Sequence, residues 1–265
     1  MSTMTPDTGA RSAPVTLRRF TGKVVAVTGA TAGIGTATAR RLATEGGTLV
    51  LTGRNRDSAE ALLAELGAER ATFVAGDVRE RATADRVVGA ALDRHGRLDV
   101  LVNNAAVDHT GDVLETPIEE VRELFDVNVF GAVHMLQAAG RAMRGRGGAI
   151  VNVSSRLASI GVPTMAMYSA AKGALLSLTR SAAVELAREG IRVNAVAPGM
   201  TRTPLFEAWA AAEGRDVVAG AAEAIPQGRF ATPEEVAAAI AFLASDEAAH
   251  ITGASLPVDG GYTAA

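Results

Sequence analysis

Short apolar runs rich in β-branched residues alternate along the chain with longer amphipathic stretches. The runs are predicted as strands buried on both faces, because they lack strict apolar–polar alternation: KVVAVTG, TLVLTG, ATFVAGD, LDVLVNNA, GAIVNVSS, IRVNAVAPG and ASLPVDGG. The stretches between them predict helices, including a long one over 117–143 and another over about 166–188. Strands that alternate with helices predict right-handed crossovers and a parallel sheet. We therefore predict a single doubly wound, three-layer α/β/α domain (Rossmann-like) over residues 17–265, preceded by a flexible tail over residues 1–16.

One segment, residues 203–231, is longer than a typical connection between a strand and a helix. We predict one or two short helices there that form a lid over the substrate. The helix after it, TPEEVAAAIAFLAS, begins with the signature of a capping box: Thr232 as the cap, Pro233 in the first turn and Glu235 at the third position.

The composition narrows the possible classes of function. A net charge of −3 gives no indication of nucleic-acid binding, and the absence of cysteine excludes disulfides and thiolate metal sites. The four histidines are scattered without metal-ligand spacing, so no metal site is predicted. No apolar run approaches the roughly 18–20 residues of a membrane span, and the first residues lack the apolar middle of a signal peptide. We expect a cytoplasmic protein with no membrane or nucleic-acid partner.

The first predicted strand runs into a glycine-rich turn, TGATAGIG, before the first helix. Gly29, Gly33 and Gly35 would let backbone N–H groups approach a pyrophosphate at the positive end of that helix, with Thr31 and Ile34 in the same turn. The spacing is G-x-x-x-G-x-G, which differs from the general dinucleotide fingerprint G-x-G-x-x-G. The turn therefore predicts a dinucleotide site, and an ordinary glycine-rich connection is the alternative.

The end of the second strand, LVLTGRN, bears on the choice between NADP(H) and NAD(H). Gly53 lies where an acid would bind the ribose 2′-hydroxyl of NAD, and Arg54 follows it, where a guanidinium can bind the 2′-phosphate of NADP. We favour NADP(H) and keep NAD(H) as possible; Arg54 as a merely solvated arginine is the alternative. Asp77 and Val78, after the third strand, would lie beside the adenine, although Asp77 could also cap the next helix.

The stretch YSAAK, residues 168–172, joins two scarce residue types. Lys23 and Lys172 are the only lysines of the chain, and Tyr168 and Tyr262 are the only tyrosines. Residues four apart share a helix face, so Tyr168 and Lys172 can point into one cleft. Tyrosine titrates near 10, and a cation at ~4 Å in an effective dielectric of ~20 supplies about 4 kcal/mol toward lowering its pKa. The pair predicts a tyrosine that exchanges protons near neutrality.

These motifs occur in a fixed order that resembles the short-chain dehydrogenase/reductase family, single-domain branch, from about Thr21 to Tyr262. The matching motifs are TGATAGIG, GDV, NNAA, DVNVFG, VNVSS, YSAAK, VNAVAPGMTRTP and DGG. The resemblance implies a doubly wound fold and a hydride transfer between a nicotinamide cofactor and a carbonyl or alcohol. It also implies a homotetramer, or a homodimer, with the two long helices at one interface and the C-terminal strand at another.

The resemblance implies a catalytic set of Asn128, Ser155, Tyr168 and Lys172. Tyr168 would be the general acid or base, and Ser155 would hold and polarise the carbonyl oxygen. Lys172 would bind the nicotinamide ribose and lower the pKa of Tyr168, and Asn128 would position a water that links Lys172 to solvent. Ser154, the other serine of VNVSS, is the less favoured choice.

The resemblance also carries the cofactor residues over to this chain. They are Gly29, Thr31, Gly33, Ile34, Gly35, Arg54, Asp77, Val78, Asn104, Ala105, Ala106, Tyr168, Lys172, Pro198, Gly199, Thr201 and Thr203. Asn103 and Asn104 resemble residues that stabilise the sheet and contact the adenosine ribose. The family commonly has glycine where this chain has Ala106, which adds a methyl group near the nicotinamide.

The candidate substrate pocket is mostly apolar and predicts a neutral, moderately hydrophobic ketone or secondary alcohol. Its residues are Ala106, Val107, Arg156, Ile160, Met200, Leu205, Phe206 and Trp209. Arg156, directly after Ser155, could bind an anionic substrate or be a solvated loop arginine. A 3-ketoacyl-carrier-protein reductase is the second choice of substrate class. A protein that binds NADP(H) as a sensor or scaffold without turnover is the alternative from another class.

Overall fold

The computed structural model describes residues 18–265, and the tail predicted for residues 1–16 lies outside the described residues. The strands are β1 (Val24–Thr28), β2 (Thr48–Gly53), β3 (Ala71–Ala75), β4 (Val100–Asn103), β5 (Gly148–Val153), β6 (Ile191–Pro198) and β7 (Ser255–Val258). They form one parallel sheet in the order β3-β2-β1-β4-β5-β6-β7. The predicted parallel α/β sheet is confirmed.

Helices cover both faces of the sheet. They are α1 (Gly33–Thr44), α2 (Arg56–Leu66), α3 (Arg81–His95), α4 (Ile118–Phe125), α5 (Gly131–Met143), α6 (Ala166–Leu186), α7 (Pro204–Glu213), α8 (Arg215–Glu223) and α9 (Pro233–Ala244). Leu42 of α1 and Ile240 of α9 pack in one core, and Val87 of α3 and Met135 of α5 pack in the other. The strands supply alternate side chains to these two cores, which is why every residue of β1 is buried.

The predicted long helix over 117–143 corresponds to α4 and α5. A π-helical turn at Asp126–Phe130 joins the two without a gap. A π turn inserts one extra residue into the helical ladder and often marks a functional position. The helix predicted to end near residue 188 is α6, which continues into a 3-10 turn at Ala187–Glu189. The segment predicted as a lid contains the two short helices α7 and α8, and its closing over a substrate stays a prediction.

The helix α9 begins with the capping box that the sequence predicts. The Thr232 side chain accepts a hydrogen bond from the Glu235 backbone N–H, and the Glu235 carboxylate accepts one from the Thr232 N–H, at 2.9 Å. The box satisfies two N–H groups that would otherwise lack partners at the start of a helix. It therefore fixes where the lid ends and the core helix begins.

The strand order reverses direction between β1 and β4, because the chain leaves β1 toward β2 and β3 and then returns to the other side of β1. In open α/β sheets, ligands bind at the carboxyl ends of the strands beside such a reversal. The glycine turn after β1 and the NNAA segment after β4 both lie at this point. In residues 18–265, no helix is long and apolar enough to cross a membrane.

Candidate active site

The glycine turn after β1 packs so closely on neighbouring backbone that Gly29 and Gly35 have no space for a side chain. A Cβ atom at Gly35 would lie 2.0 Å from the Gly29 carbonyl oxygen, and one at Gly29 would lie 2.8 Å from the Ala105 Cα. Gly29 and Gly33 also adopt positive φ angles of 63° and 50°, which favour glycine. The turn thus brings bare backbone to the start of α1.

The first turn of α1 has no side-chain cap, since its N-cap residue is Ala32. Its N–H groups are therefore available to an anion, and the helix dipole favours negative charge there. A pyrophosphate fits this donor set, with Gly33 and Gly35 in the turn and Thr31 and Ile34 beside them.

The carboxyl ends of β1 and β4 are tied together by side chains. The Asn104 amide donates hydrogen bonds of 3.0 Å to the carbonyl oxygens of both Thr28 and Gly29, and the Thr28 hydroxyl accepts from the N–H groups of Asn104 and Ala105. Asn103 donates to the Asn152 side chain on the neighbouring strand β5, at 3.0 Å. The two asparagines hold the floor of the crevice in place, which fits the sheet-stabilising part that the resemblance implies.

The end of β2 carries no acidic side chain. A Cβ atom at Gly53 would lie 3.1 Å from the Thr31 hydroxyl oxygen, so a side chain there would need a small shift of the Thr31 side chain. Arg54, the next residue, is exposed. The Asp77 carboxylate pairs with Arg79 at 2.8 Å, and this hydrogen bond, with a further contribution from the charge of Arg54, lowers the pKa of Asp77 despite partial burial. Arg54 and Asp77 therefore lie on the same side of the crevice.

Asp77 does not cap the following helix, which corrects one of the two roles considered for it. The helix α3 begins at Arg81 with Glu80 as its N-cap, and no side chain caps it. Val78 is buried, and its carbonyl oxygen lies 3.3 Å from the His134 Nδ1. The GDV segment is thus held by an ion pair on one side and by α5 on the other.

The segment after β6 closes the crevice from the opposite side. Pro198 ends β6, and Gly199 packs so tightly on Asp259 that a Cβ would lie 2.8 Å from its Cα. Thr201 is buried, and its hydroxyl donates to the Gly199 carbonyl oxygen at 3.0 Å. Thr203 caps α7, and its methyl carbon would lie 3.0 Å from a Cβ at Gly33, so this segment reaches across to the glycine turn.

Ser155, Tyr168 and Lys172 come together where β5 ends beside α6. The Lys172 ammonium donates a hydrogen bond of 3.0 Å to the carbonyl oxygen of Val153, the last residue of β5. The same ammonium lies 5.6 Å from the centroid of the Tyr168 ring. Ser155 begins the turn after β5, and its hydroxyl accepts from the Leu157 N–H. The spacing of four residues thus places the tyrosine and the lysine in one cleft, as the helix geometry predicts.

The two serines of VNVSS have different partners. The Ser154 hydroxyl is buried and donates to the Lys172 carbonyl oxygen at 3.0 Å, so it ties β5 to α6. The Ser155 side chain interacts with the Tyr168 hydroxyl strongly enough to affect its pKa. Ser155 is therefore the serine that faces the tyrosine.

The pKa values in the cleft are set mainly by burial. Burial raises the pKa of Tyr168, the charge of Asp108 raises it further, and Ser155 lowers it. Burial lowers the pKa of Lys172 to about 8, and Asp108 opposes that shift. The prediction that Lys172 lowers the pKa of Tyr168 stays a prediction: burial is the largest influence on the pKa of Tyr168 here, and the Lys172 ammonium is directed at the Val153 carbonyl.

Asn128 lies in the π-helical turn and is buried at 2% exposure. Its side chain accepts a hydrogen bond of 2.8 Å from the Val107 N–H and donates one of 2.9 Å to the Val107 carbonyl oxygen. Asn128 therefore holds the loop after β4, where Ala106 is exposed and Val107 half-buried, and its side chain acts as a positioning group.

The candidate pocket residues of the lid divide into two groups. The Phe206 ring packs against Phe230 at 4.6 Å and against Trp209 at 5.6 Å between centroids, so these aromatic residues anchor α7 to the end of the lid. Leu205 is 59% exposed, and Met200 is half-buried after β6. The segment therefore carries apolar side chains, and their contact with a substrate stays a prediction.

Arg156 is not a freely solvated loop arginine. Its guanidinium carbon lies 3.8 Å from the centroid of the Tyr262 ring, and its Nη1 is buried without a hydrogen-bond partner in the described residues. Ile160, in the same loop, is half-buried. Arg156 and Tyr262 thus form a stacked pair next to Ser155.

Sequence reasoning missed two residues near the reaction site. Asp108, two residues after Ala106, acts on the pKa values of both Tyr168 and Lys172. A charged residue directly after the NNAAV segment was the available signal. Tyr262 has no predicted role in the sequence motifs. The available signal was that the chain has only two tyrosines.

A separate cavity of about 870 Å³ opens at the opposite, amino-terminal edge of the sheet. Its charged side chains are engaged: Lys23 pairs with Asp246 and Arg97 with Asp99, both at 2.5 Å. We therefore assign the chemistry to the carboxyl edge. Among residues 18–265, no group of three or more histidines, aspartates or glutamates could hold a metal ion.

Comparison with known proteins gives consistent matches over nearly the whole chain. A family model described as enoyl-(acyl carrier protein) reductase matches residues 29–263. The chain is 44% identical to cis-4-hydroxycyclohexanecarboxylate dehydrogenase of Sinomonas cyclohexanicum, with 92% of this chain and 98% of that protein covered. It is 41% identical to meso-2,3-butanediol dehydrogenase of Serratia marcescens, over 93% and 96% of the two chains.

A third relative, D-threitol dehydrogenase of Mycolicibacterium smegmatis, is 39% identical, with 92% of this chain and 94% of that protein covered. These matches cover 92–93% of the chain, and the ordered motifs lie on the elements that the resemblance requires. The chain belongs to the short-chain dehydrogenase/reductase family.

Proposed function

We propose that this protein is an NADP(H)-dependent oxidoreductase that interconverts a secondary alcohol and a ketone. The observation that carries the proposal is the convergence of Ser155, Tyr168 and Lys172 at the carboxyl edge of the sheet, beside a glycine turn with free helix N–H groups. The relatives named above are all dehydrogenases of compounds with a hydroxyl group, which supports the same class of reaction.

Each of the converging side chains has a task in this proposal. The bound nicotinamide supplies or accepts the hydride. Tyr168 exchanges a proton with the substrate oxygen, and Ser155 donates a hydrogen bond to that oxygen and polarises it. Lys172 binds the nicotinamide ribose.

The cofactor in this proposal spans the crevice from the end of β2 to the segment after β6. Gly29, Thr31, Gly33, Ile34 and Gly35 hold the pyrophosphate. The adenosine end is held by Arg54, Asp77, Val78, Asn104 and Ala105, and the nicotinamide end by Ala106, Pro198, Gly199, Thr201 and Thr203. The fit of the bare glycine turn to an anion supports the assignment.

The preference for NADP(H) rests on Arg54 and on the glycine at position 53, which leaves no acidic side chain there. An Arg54→Asp variant is expected to lower the ratio of kcat/KM for NADPH to that for NADH by about tenfold to a hundredfold, because a charge-assisted hydrogen bond to the 2′-phosphate is lost and a repulsion is gained. Steady-state kinetics with both cofactors measures this ratio.

Arg56→Asp is the matched control for this experiment. Arg56 is exposed two residues away at the start of α2, so the same charge reversal there acts on the cofactor only through screened solvent. A ratio that falls equally in both variants, or in neither, would remove Arg54 from the cofactor assignment.

The reaction class is tested by following nicotinamide absorbance with a panel of ketones and secondary alcohols. We expect turnover with at least one compound and faster turnover with NADPH than with NADH. Cofactor binding without turnover across the panel would favour the sensor or scaffold alternative over an enzyme.

A carrier-linked 3-ketoacyl substrate is the alternative within the enzyme class, and the family model named after a carrier-protein reductase keeps it under consideration. The loop after β4 and the start of α4 argue against it. Residues 108–123 carry six acidic side chains and one arginine, so this segment is negatively charged. An acidic carrier would be repelled by this rim. We therefore favour a free small molecule.

We also propose a homotetramer, or a homodimer, built on the long helices. Ile118 of α4 and Phe130 of the π turn are exposed at 54% and 52%, and Val184 of α6 at 80%, in the single chain. Apolar side chains on these helices are expected to be covered by a second copy. Sedimentation velocity should give more than one chain per particle, and Val184→Glu should shift the protein toward smaller species; a wild-type monomer would refute the proposal.

A further inference from the structure

The surroundings of Arg156 bear on the substrate of the proposed reaction. Arg156 takes part in none of the ion pairs formed by residues 18–265. Its Nη1 is nevertheless buried and has no hydrogen-bond partner there. A guanidinium stays protonated in proteins, so it cannot avoid the cost of burial by losing a proton. Arg156 as a whole is half-buried, but an enclosed charged donor without a partner is costly, and a ligand atom beside Nη1 would complete it.

Tyr262 supplies a fixed platform for this guanidinium. The ring lies 3.8 Å below the guanidinium carbon, within the range of a cation–π contact. The turn that carries Tyr262 is held by Asp259, whose carboxylate accepts from the N–H groups of Gly261 and Thr263 and from the Thr263 hydroxyl. A guanidinium stacked on a rigid ring loses little further freedom when it binds an anion.

The pair lies at the same edge of the sheet as the reacting side chains. Arg156 follows Ser155 directly at the end of β5, and Tyr262 follows β7. The strands β5, β6 and β7 are adjacent and parallel, so both residues lie at the carboxyl edge where Tyr168 and Lys172 converge. A substrate held by Ser155 and Tyr168 that extends along this edge would meet the guanidinium of Arg156.

We propose that Arg156, held by Tyr262, binds a carboxylate of the substrate, so that the protein acts on a hydroxycarboxylate and the matching oxocarboxylate. A carboxylate presents two coplanar oxygens that match the fork of a guanidinium. The apolar residues of the lid cover the rest of such a molecule. This inference rests on the proposed oxidoreductase function and replaces the neutral substrate that the apolar composition of the pocket favoured.

The test compares acids with their own methyl esters. The probes are 3-hydroxybutyrate, 4-hydroxyvalerate and 4-hydroxycyclohexanecarboxylate, each measured with NADP⁺ as the free acid and as the ester. We expect the wild-type protein to prefer at least one acid over its ester. In Arg156→Gln the acid-to-ester ratio of kcat/KM should fall about tenfold to a hundredfold, since the charge-assisted hydrogen bonds are lost.

Further variants separate recognition from a general loss of structure. Arg156→Lys should keep part of the preference, because the charge remains and the fork is lost. Tyr262→Leu should reduce the ratio and Tyr262→Phe should largely keep it, because phenylalanine retains the ring face. Arg70 is an exposed arginine before β3, at the other edge of the sheet. The control variant Arg70→Gln should leave the ratio at its wild-type value.

A binding measurement keeps the inference testable apart from turnover. Calorimetry with cyclohexanecarboxylate, which has no hydroxyl to oxidise, should show binding to the NADP⁺ complex that Arg156→Gln weakens by about tenfold or more. Equal affinity in both proteins, or a wild-type preference for every ester, would overturn the carboxylate subsite. If neither acids nor esters are oxidised, the proposed reaction fails, and calorimetry alone decides on the subsite.

Discussion

Replacing Tyr168 by phenylalanine is expected to lower kcat about a hundredfold to ten-thousandfold, the range that a positioned general acid or base contributes. The change removes one hydroxyl and leaves the ring that packs beside Lys172, so the fold should remain intact. Initial rates with NADPH and the best ketone of the panel measure the loss, and circular dichroism with cofactor binding verifies that the variant is folded.

Tyr262→Phe is the matched control, because Tyr262 is the only other tyrosine of the chain. It lies at the same edge of the sheet and loses the same hydroxyl, but its ring contacts Arg156 through the face. Its kcat should stay within a few-fold of the wild-type value. A Tyr168→Phe protein that turns over as fast as Tyr262→Phe would show that another group transfers the proton.

Replacing Lys172 by methionine is expected to stabilise the protein while turnover is lost. Burial lowers the pKa of Lys172 from 10.5 to about 8, which corresponds to a cost of about 3 kcal/mol for holding the charged form at pH 7. Methionine removes that cost, but the loss of the hydrogen bond to Val153 destabilises the fold by about 1 kcal/mol. The free energy of unfolding at pH 7 should therefore rise by about 2 kcal/mol, as urea titration at one fixed protein concentration would show.

The pH dependence gives this prediction a second, independent readout. Between pH 8 and pH 10.5 the unfolded chain keeps the Lys172 proton and the folded protein releases it, so the wild-type protein gains stability with rising pH. The methionine variant has no such group, and its advantage over the wild type should shrink through this window.

Lys23→Met is the control, since Lys23 is the other lysine and forms a surface ion pair with Asp246. Its effect on stability should stay below about 1 kcal/mol. A Lys172→Met protein that is less stable than the wild type at pH 7 would mean that burial does not penalise this ammonium.

The burial of Lys172 also means that the cleft lowers the free energy of unfolding. An ammonium enclosed by β5 and α6 weakens the fold at neutral pH, and it is retained in the proposal because the ribose of the cofactor needs a donor there. Stability that is lost at a functional position and recovered by an inactivating substitution is the usual relation between stability and activity.

The elements of the fold that could be predicted from the sequence depend on local physics. The strands follow from apolar runs, the start of α9 from the capping box at Thr232, and the shared face of Tyr168 and Lys172 from the helical repeat. The glycine turn was equally readable, because Gly35 leaves no space for a side chain beside the Gly29 carbonyl. The prediction for Arg54 stays a prediction, with its exposed position and the glycine before it in support.

What the sequence by itself determined is therefore the parallel sheet, the glycine turn and the pairing of Tyr168 with Lys172, because each depends on residues that are close along the chain. Only the tertiary structure decided that Asn128 holds Val107 and that Tyr262 supports Arg156. It also decided that burial is the largest influence on the pKa of Tyr168. These features depend on which strands are neighbours and on how completely the cleft excludes water, and neither leaves a periodic signal along the chain.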